Sequence, residues 1–154
     1  MELINQLDFV DKEILRLLKS DARQSYVEIA KVLKVSNSLV HQRIVKMKQS
    51  GLIKNATLTI DEKLLGYNAC SFTGIVLKEA HYAKQVVEEL QLIPEVVECD
   101  YVSGKYAVFV KVCAADNEHM REVLYEKIHQ IEGVSGTDTF ISFGAQFTRS
   151  VPIV

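Results

Sequence analysis

The sequence predicts an α+β chain with an N-terminal helix-turn-helix (winged-helix-like) domain and a C-terminal ferredoxin-like βαββαβ domain. Two observations lead to this fold class. Two helical segments near the N-terminus are separated by only about three residues, which is helix-turn-helix spacing. Beyond residue 67, apolar patterns follow the order strand–helix–strand–strand–helix–strand, the order of the split βαβ fold. We therefore expect domains at 1–60, including a connecting strand, and at 61–154.

The composition is that of an ordinary globular protein, with 48% apolar and 25% charged residues among 154. No apolar run approaches the ~20 residues of a membrane span. Met1–Asn5 has no basic residue ahead of an apolar stretch, as a secretory signal would. The three cysteines show no C-x-x-C spacing and are expected to be reduced. We therefore expect a cytoplasmic protein without a membrane partner.

Charge is distributed unevenly along the chain, whose formal net charge is −2. Residues 1–60 hold ten Lys/Arg and six Asp/Glu, whereas residues 61–154 hold eight and fourteen. No acidic residue occurs between Ile29 and Ile60, a stretch that contains six basic residues. An asymmetry of this kind indicates that the N-terminal part meets a polyanion.

Capping residues and apolar periodicity predict three helices in the first domain. Asp8 can cap the first helix, and Ser25 with Glu28 forms a capping box for the second. Ser36 can cap the third helix, which Gly51 ends. The apolar positions of these helices are Ile14, Leu15, Leu17 and Leu18, then Val27, Ala30 and Leu33, then Val40, Ile44 and Met47.

The polar side of the third helix carries residue types that recognise double-stranded DNA. Asn and Gln form paired hydrogen bonds with base edges, and Arg and Lys neutralise phosphates. Recognition helices contact bases through their N-terminal part. A merely solvated helix face would be similarly polar, but the acid-free basic stretch favours DNA binding. The candidate DNA-binding residues are Ser36, Asn37, Ser38, His41, Gln42, Arg43 and Lys46.

The second domain is predicted from alternating and helical apolar patterns. The connecting strand is expected at Ala56–Ile60, and the domain boundary at 61–67. Helices are predicted around Ala83–Leu90 and Met120–Ile128. The four strands are predicted at Ser71–Leu77, Val96–Val102, Tyr106–Val112 and Gly136–Phe147, with a tight turn at Ser103–Lys105 between the second and third.

Two helices can cover only one face of the four-stranded antiparallel sheet that this order implies. Each alternating set of strand residues contains large apolar groups, and the pattern does not decide which set faces the helices. Phe109 and Phe140 are among these groups. The uncovered face is therefore a candidate surface for self-association.

No motif in the chain indicates catalysis. The four histidines show no H-E-x-x-H and no i, i+4 pair. There is also no G-x-G-x-x-G, Walker A or G-x-S-x-G motif. We expect no enzymatic activity, no cofactor and no metal.

Short motifs are spread in a characteristic order across nearly the whole chain. In the first half they are Leu7-Asp8, Asp11, Ile14-Leu15, Asp21-Ala22-Arg23, Glu28-Ile29-Ala30, Ser36–Val40, Arg43-Ile44 and Gly51-Leu52-Ile53. In the second half they are Leu65-Gly66-Tyr67, Val102-Ser103-Gly104, Ile131–Val134 and Thr137-Asp138-Thr139. Through their order and spacing the chain resembles the Lrp/AsnC (feast/famine) transcriptional regulators. The resemblance implies a ligand-sensing C-terminal domain, dimers formed through the sheets and often octamers, and amino acids bound between subunits.

The resemblance also implies an effector site at the hairpin turn and the start of the last strand. The family commonly has an acidic or amide residue after the turn glycine and often an acid two residues later, where this chain has Lys105 and Ala107. Lys105 suits a carboxylate, and Asp138 can take an ammonium group. An acidic effector, another small molecule or no effector are all open. The candidate effector-binding residues are Ser103, Gly104, Lys105, Tyr106, Thr137, Asp138 and Thr139.

We therefore expect a sequence-specific DNA-binding transcriptional regulator, a homodimer that assembles to an octamer, modulated by an amino acid or related small molecule. Two alternatives are open. An architectural protein would wrap DNA with little base readout, and the specificity ratio distinguishes it. A small-ligand sensor or enzyme could use the C-terminal domain alone, because ferredoxin-like folds host many activities.

Overall fold

A computed structural model describes residues 7–153, so the expectation about a signal at Met1–Asn5 lies outside the described residues. The chain divides into two compact units. One is formed by the chain up to Thr59 together with the tail from Arg149, and the other is Ile60–Thr148. The first contains three helices and the second a four-stranded antiparallel sheet with helices, so the predicted fold class is confirmed. No helix among residues 7–153 is long and apolar enough to cross a membrane.

The three predicted helices of the first unit begin at the predicted caps. The Asp8 carboxylate accepts the Asp11 N–H at 2.9 Å, and the Ser25 hydroxyl accepts the Glu28 N–H at 3.2 Å. The Ser36 hydroxyl accepts the Leu39 N–H at 3.2 Å. Each bond satisfies one of the backbone donors that a helix leaves free at its N-terminus. The helices are α1 (Phe9–Ser20), α2 (Tyr26–Leu33) and α3 (Asn37–Gln49).

The core of this unit is formed by one side of each helix. Val40, Ile44 and Met47 are buried on α3, as their spacing predicts. The prediction for Val27 is wrong, because this residue is 49% exposed whereas Ile29 is completely buried. Two residues apart on an α-helix lie about 200° apart around its axis, so α2 cannot bury both.

A charged contact fixes α3 against α1. Asp11 on α1 is buried, and Arg43 Nη1 lies 3.0 Å from its Oδ2. The same guanidinium atom lies 2.8 Å from Asp8 Oδ2. The Asp11 backbone N–H and then the Arg43 charge hold the pKa of Asp8 below its ordinary value. Because an unpaired carboxylate is costly to bury, the position of Arg43 is tied to the packing of these helices.

The C-terminal tail belongs to this first unit, although the sequence assigned it to a domain at 61–154. Arg16 Nη2 donates to Ile153 O at 3.1 Å. Lys19 Nζ donates to Ser150 O at 3.2 Å and to Val151 O at 2.7 Å. Side chains of α1 thus satisfy carbonyl groups of the tail, a contact that local sequence patterns do not reveal.

The predicted connecting strand at Ala56–Ile60 is not formed within the single chain. Between Gln49 and Ala69 the described chain contains no strand, and Leu58 is 71% exposed. A strand requires a neighbour that pairs with its backbone N–H and C=O groups. The alternating pattern is present, but no strand among residues 7–153 pairs with it.

The sheet of the second unit has the strand order β2-β3-β1-β4, all antiparallel. The last strand ends at Ser142 rather than at the predicted Phe147, because its partner β1 begins to pair at Cys70 opposite Ser142. Gly144, at φ 112°, then turns the chain away. The strands are β1 (Ala69–Leu77), β2 (Val96–Tyr101), β3 (Val108–Ala114) and β4 (Val134–Ser142). The helices are α4 (Ala83–Leu90), preceded by a 3₁₀ turn at Ala80–Tyr82, and α5 (Asn117–Glu122), continued by a π-helix at Val123–Ile128.

Strand register decides which face of the sheet the helices cover. Val108 and Val110 are buried, and they lie opposite Ile75 and Thr73 on β1, which are buried too. Ile75, Val108 and Val110 share a core with Val86 and Leu90 of α4, with Met120 of α5 and with Val123 of the π-helix that follows α5. We call the opposite side of the sheet the outer face; it carries Phe72, Phe109, Lys111, Asp138 and Phe140.

We expect Arg43→Ala to lower the free energy of unfolding by about 1–3 kcal/mol, because it leaves the buried Asp11 carboxylate without its cation. Chemical denaturation followed by circular dichroism measures the loss. Lys46→Ala, on the exposed side of the same helix, is the matched control and should change stability by no more than about 0.5 kcal/mol. Equal effects of the two substitutions would contradict the assigned role of Arg43.

Candidate nucleic-acid interface and effector site

A tight turn sets the start of α3 relative to α2. Lys34 has a left-handed backbone, with φ 55° and ψ 42°. The Val35 N–H donates to Ala30 O at 3.0 Å, which closes the end of α2. Ser36 then caps α3 and lies 3.0 Å from the Ser38 hydroxyl, oxygen to oxygen. The predicted helix-turn-helix geometry is therefore built by local hydrogen bonds.

The N-terminal half of α3 faces an open concavity of about 450 Å³. Four of the predicted DNA-binding side chains line it and are exposed. Tyr26 and Val27 of α2, which were not predicted as DNA-binding residues, complete the lining. The Tyr26 and His41 rings lie 5.9 Å apart, centroid to centroid. The four predicted side chains are Asn37, Ser38, His41 and Gln42.

The electrostatics of this concavity suit a polyanion. The first turn of α3 contains no acidic residue. The backbone N–H groups and the positive end of the helix dipole are therefore not neutralised there. Lys46 and Lys48 are exposed toward the other end of the helix. Val27 adds an exposed apolar group, which can contact a thymine methyl in a major groove.

Arg43 differs from the other predicted DNA-binding residues. Its side chain is 30% exposed, and it already pairs with Asp8 and Asp11. Both partners lie more than thirty positions earlier in the chain, so inspection of α3 alone could not identify them. The structure thus gives Arg43 a packing role, and a DNA contact at this residue stays a prediction.

The predicted effector residues meet partly on the outer face. Lys105 Nζ forms an ion pair with Asp138 Oδ2, and the Tyr106 hydroxyl donates to the same oxygen at 2.8 Å. The hydrogen bond from Lys105, followed by that from Tyr106, holds the pKa of Asp138 below its ordinary value. The hydrogen bond to Asp138 also raises the pKa of Lys105. Lys105 and Asp138, which were both predicted to bind charged groups of a ligand, therefore neutralise each other.

Tyr106 is held in this cluster by a close approach to the backbone of β1. A Cβ added at Gly74 would lie 2.6 Å from Tyr106 Cγ. Only glycine leaves room for the ring at this position. Phe109 flanks the ring, with centroids 6.0 Å apart, so the cluster has an apolar side as well as two charges.

Thr137 and Thr139 lie on the other face of the sheet. Thr139 Oγ1 is 3.1 Å from Thr73 Oγ1, and Thr137 Oγ1 is 2.7 Å from His129 Nε2. Successive strand residues point to opposite faces, so neither threonine hydroxyl shares the site of Asp138. Ser103 and Gly104 form the exposed turn, and Gly104 has φ 114°.

Two family models match the chain, and each covers one of the parts described above. The description "Winged helix-turn-helix DNA-binding" applies to residues 7–54. The description "Lrp/AsnC ligand binding domain" applies to residues 70–151.

Similar proteins carry regulatory names. The chain is 40% identical over 148 residues to "Regulatory protein AsnC" of Haemophilus influenzae, covering 96% of this chain and 99% of the relative. The solved "Structure of E.coli AsnC" is 35% identical, with a TM-score of 0.89, over 94% of this chain and 97% of that one. A Neisseria meningitidis regulator solved as an L-Met complex, 17% identical over 96% and 97% of the two chains, shares the fold with a TM-score of 0.89. With both domains matched and relatives aligned from end to end, the chain belongs to the Lrp/AsnC family of transcriptional regulators.

Proposed function

We propose that this regulator recognises a specific DNA sequence through the N-terminal half of α3 and acts as a dimer or a multiple of one. One observation carries the proposal. Exposed Asn37, Ser38, His41 and Gln42 surround an open concavity at a helix N-terminus that has no acidic residue. These side chains offer directional hydrogen bonds to base edges, whereas a purely architectural protein needs only phosphate contacts and DNA bending.

Two substitutions on α3 separate base reading from phosphate binding. Gln42→Ala should weaken binding to the preferred site by ~1–3 kcal/mol and relax specificity there, because an amide that contacts a base edge is lost. Lys46→Ala should weaken binding to all sequences and reduce the salt-dependence slope by about one unit. Recovery of genomic fragments bound by the pure protein supplies the preferred site, and titrations at several salt concentrations supply the slopes.

The matched control for these titrations is Lys84→Ala, which removes an exposed lysine from α4 in the other unit. It should leave both the affinity and the slope unchanged. If Gln42→Ala weakens specific and unrelated DNA equally, α3 does not read bases and the architectural alternative is favoured.

We further propose that two copies of the chain associate through the outer face. Phe72 and Phe140 are direct cross-strand partners there and are 40% and 55% exposed. A sheet face with adjacent exposed aromatic rings is a poor surface to leave in water. A two-fold dimer buries the same patch on both copies, and its symmetry matches a palindromic operator.

Phe140→Asp should shift the protein toward monomer, because it places a charge in the centre of the apolar patch. Sedimentation velocity at micromolar concentration and physiological salt measures the change. Leu92→Asp is the control, since Leu92 is 80% exposed but lies beyond α4, away from the outer face. A monomeric unmodified protein, or equal dissociation by both variants, would overturn this interface.

We also propose that the effector binds at the cluster of Lys105, Tyr106 and Asp138. Because the two charges already satisfy each other, an incoming ligand has to replace one of them. A free carboxylate alone would take Lys105 and leave Asp138 without a cation, with the Tyr106 hydroxyl as its partner. A zwitterion can place its carboxylate on Lys105 and its ammonium group on Asp138, so that both charges keep a partner.

A thermal-shift screen of the twenty amino acids and common keto acids at millimolar concentration tests this site. An amino acid present at a hundredfold excess over Kd should raise Tm by about 5–10 °C, and its keto-acid analogue should raise Tm less. Lys105→Ala and Asp138→Asn should each abolish the shift without changing DNA binding by the ligand-free protein. If no compound stabilises the protein, the effector site is overturned and the proposal for α3 stands.

A further inference from the structure

Two cysteines face each other across the centre of the sheet. Cys70 on β1 and Cys113 on β3 are direct partners in the register, 43 residues apart in sequence. Their Sγ atoms lie 2.7 Å apart, and both residues are free thiols. Neither residue contributes to the proposed DNA or effector sites.

The backbone around this pair is arranged as a disulfide requires. The Cys113 N–H donates to Glu95 O at 2.8 Å, so it points toward β2 and away from β1. Cys70 and Cys113 are direct partners on antiparallel strands, and the Cα atoms of such partners lie about 4.5–5.5 Å apart. That spacing falls within the roughly 4.4–6.8 Å observed between disulfide-linked Cα atoms. A disulfide needs only a small further approach of the sulfurs, to about 2.0 Å.

The surroundings make the two sulfurs unequal. Cys113 is 2% exposed, whereas Cys70 is partly exposed. Burial, followed by the contact with Cys70, raises the pKa of the Cys113 thiol to about 12. Lys111 lies two positions before Cys113 on the same strand and supplies a positive charge near both thiols. An oxidant therefore meets Cys70 first, and Cys113 is placed to react second.

We propose that Cys70 and Cys113 are a redox modification site, which hydrogen peroxide converts into an intrachain disulfide. Cys70 loses its proton, and its thiolate attacks a peroxide oxygen. The O–O bond breaks, hydroxide leaves, and Cys70 becomes a sulfenic acid. The Cys113 sulfur then attacks the Cys70 sulfur, the S–O bond breaks, and the departing hydroxide takes up the Cys113 proton as water. Two thiols are oxidised by two electrons in all, and one peroxide is reduced to two waters.

The experiment uses the reduced full-length protein and hydrogen peroxide. Under denaturing conditions the thiol count should fall from three to one, because only Cys99 remains. The intact mass should fall by about 2 Da, the two hydrogens lost on disulfide formation. Trypsin should separate the cysteines into peptides 64–78, 85–105 and 112–121, and the oxidised digest should contain the first and third joined. Dithiothreitol should restore all three thiols, which it cannot do after oxidation to sulfinic acid.

Single-cysteine variants test the order of events. Cys99→Ser is the matched control, because Cys99 is exposed on β2 and it should leave the cross-link intact. In Cys113→Ala, the sulfenic acid on Cys70 should persist and be trapped by dimedone. In Cys70→Ala, Cys113 should be labelled at least about tenfold more slowly.

Three outcomes would overturn the proposal. They are survival of three thiols after peroxide treatment, a disulfide that includes Cys99, and a cross-link that joins two chains instead of one. Peptide mapping of the unmodified protein decides among them even if a variant fails to fold. Since the assay involves neither DNA nor effector, its result is independent of the proposed DNA and effector sites.

Discussion

The helices of the second unit can cover only one side of its sheet, and much of the structure follows from that constraint. Strand residues alternate between faces, so the burial of Thr73 and Val110 beneath the helices puts their neighbours on the outer face. The side chains on the outer face are apolar in one part of the sheet and charged in another. Phe72 and Phe140 form an apolar centre, and Lys105 and Asp138 form an ion pair beyond it. The features that we connect with assembly, ligand binding and oxidation all share this face because the core uses the other one.

Arg43 shows that the packing role of a residue is not apparent when its helix is considered alone. Its position on the polar side of α3 and its charge both fit a phosphate contact, and its neighbours Gln42 and His41 are indeed exposed. Arg43 nevertheless pairs with Asp11 of α1, because burying the Asp11 carboxylate without a cation would be costly. The sequence of α3 thus does not distinguish the residue that fixes this helix against α1 from the residues that the helix exposes.

What could be predicted from the sequence was set by short-range physics. Helix caps depend on residues three apart, as at Ser25 and Glu28, and core positions such as Ile44 depend on helical spacing. The predictions that failed depend on partners distant in sequence. The end of β4 is set by where β1 begins, and the tail is held by side chains of α1. The juxtaposition of Lys105 with Asp138 was expected from the family resemblance, but not that they would neutralise each other.

The charge distribution limits how such a chain can hold DNA. Residues 1–60 carry an excess of only four positive charges, and one of their cations, Arg43, is paired with the carboxylates of Asp8 and Asp11. Each cation that reaches a phosphate adds to non-specific affinity. One N-terminal unit with so small a net positive charge is therefore expected to bind DNA of any sequence weakly. In the function that we propose, discrimination comes from base contacts at the start of α3, and total affinity comes from joining two such units. Association of two chains makes the second binding event intramolecular and raises its effective concentration. In the proposed dimer, the modestly basic DNA-binding unit therefore depends on the outer face for its affinity, which links the apolar patch around Phe140 to DNA binding.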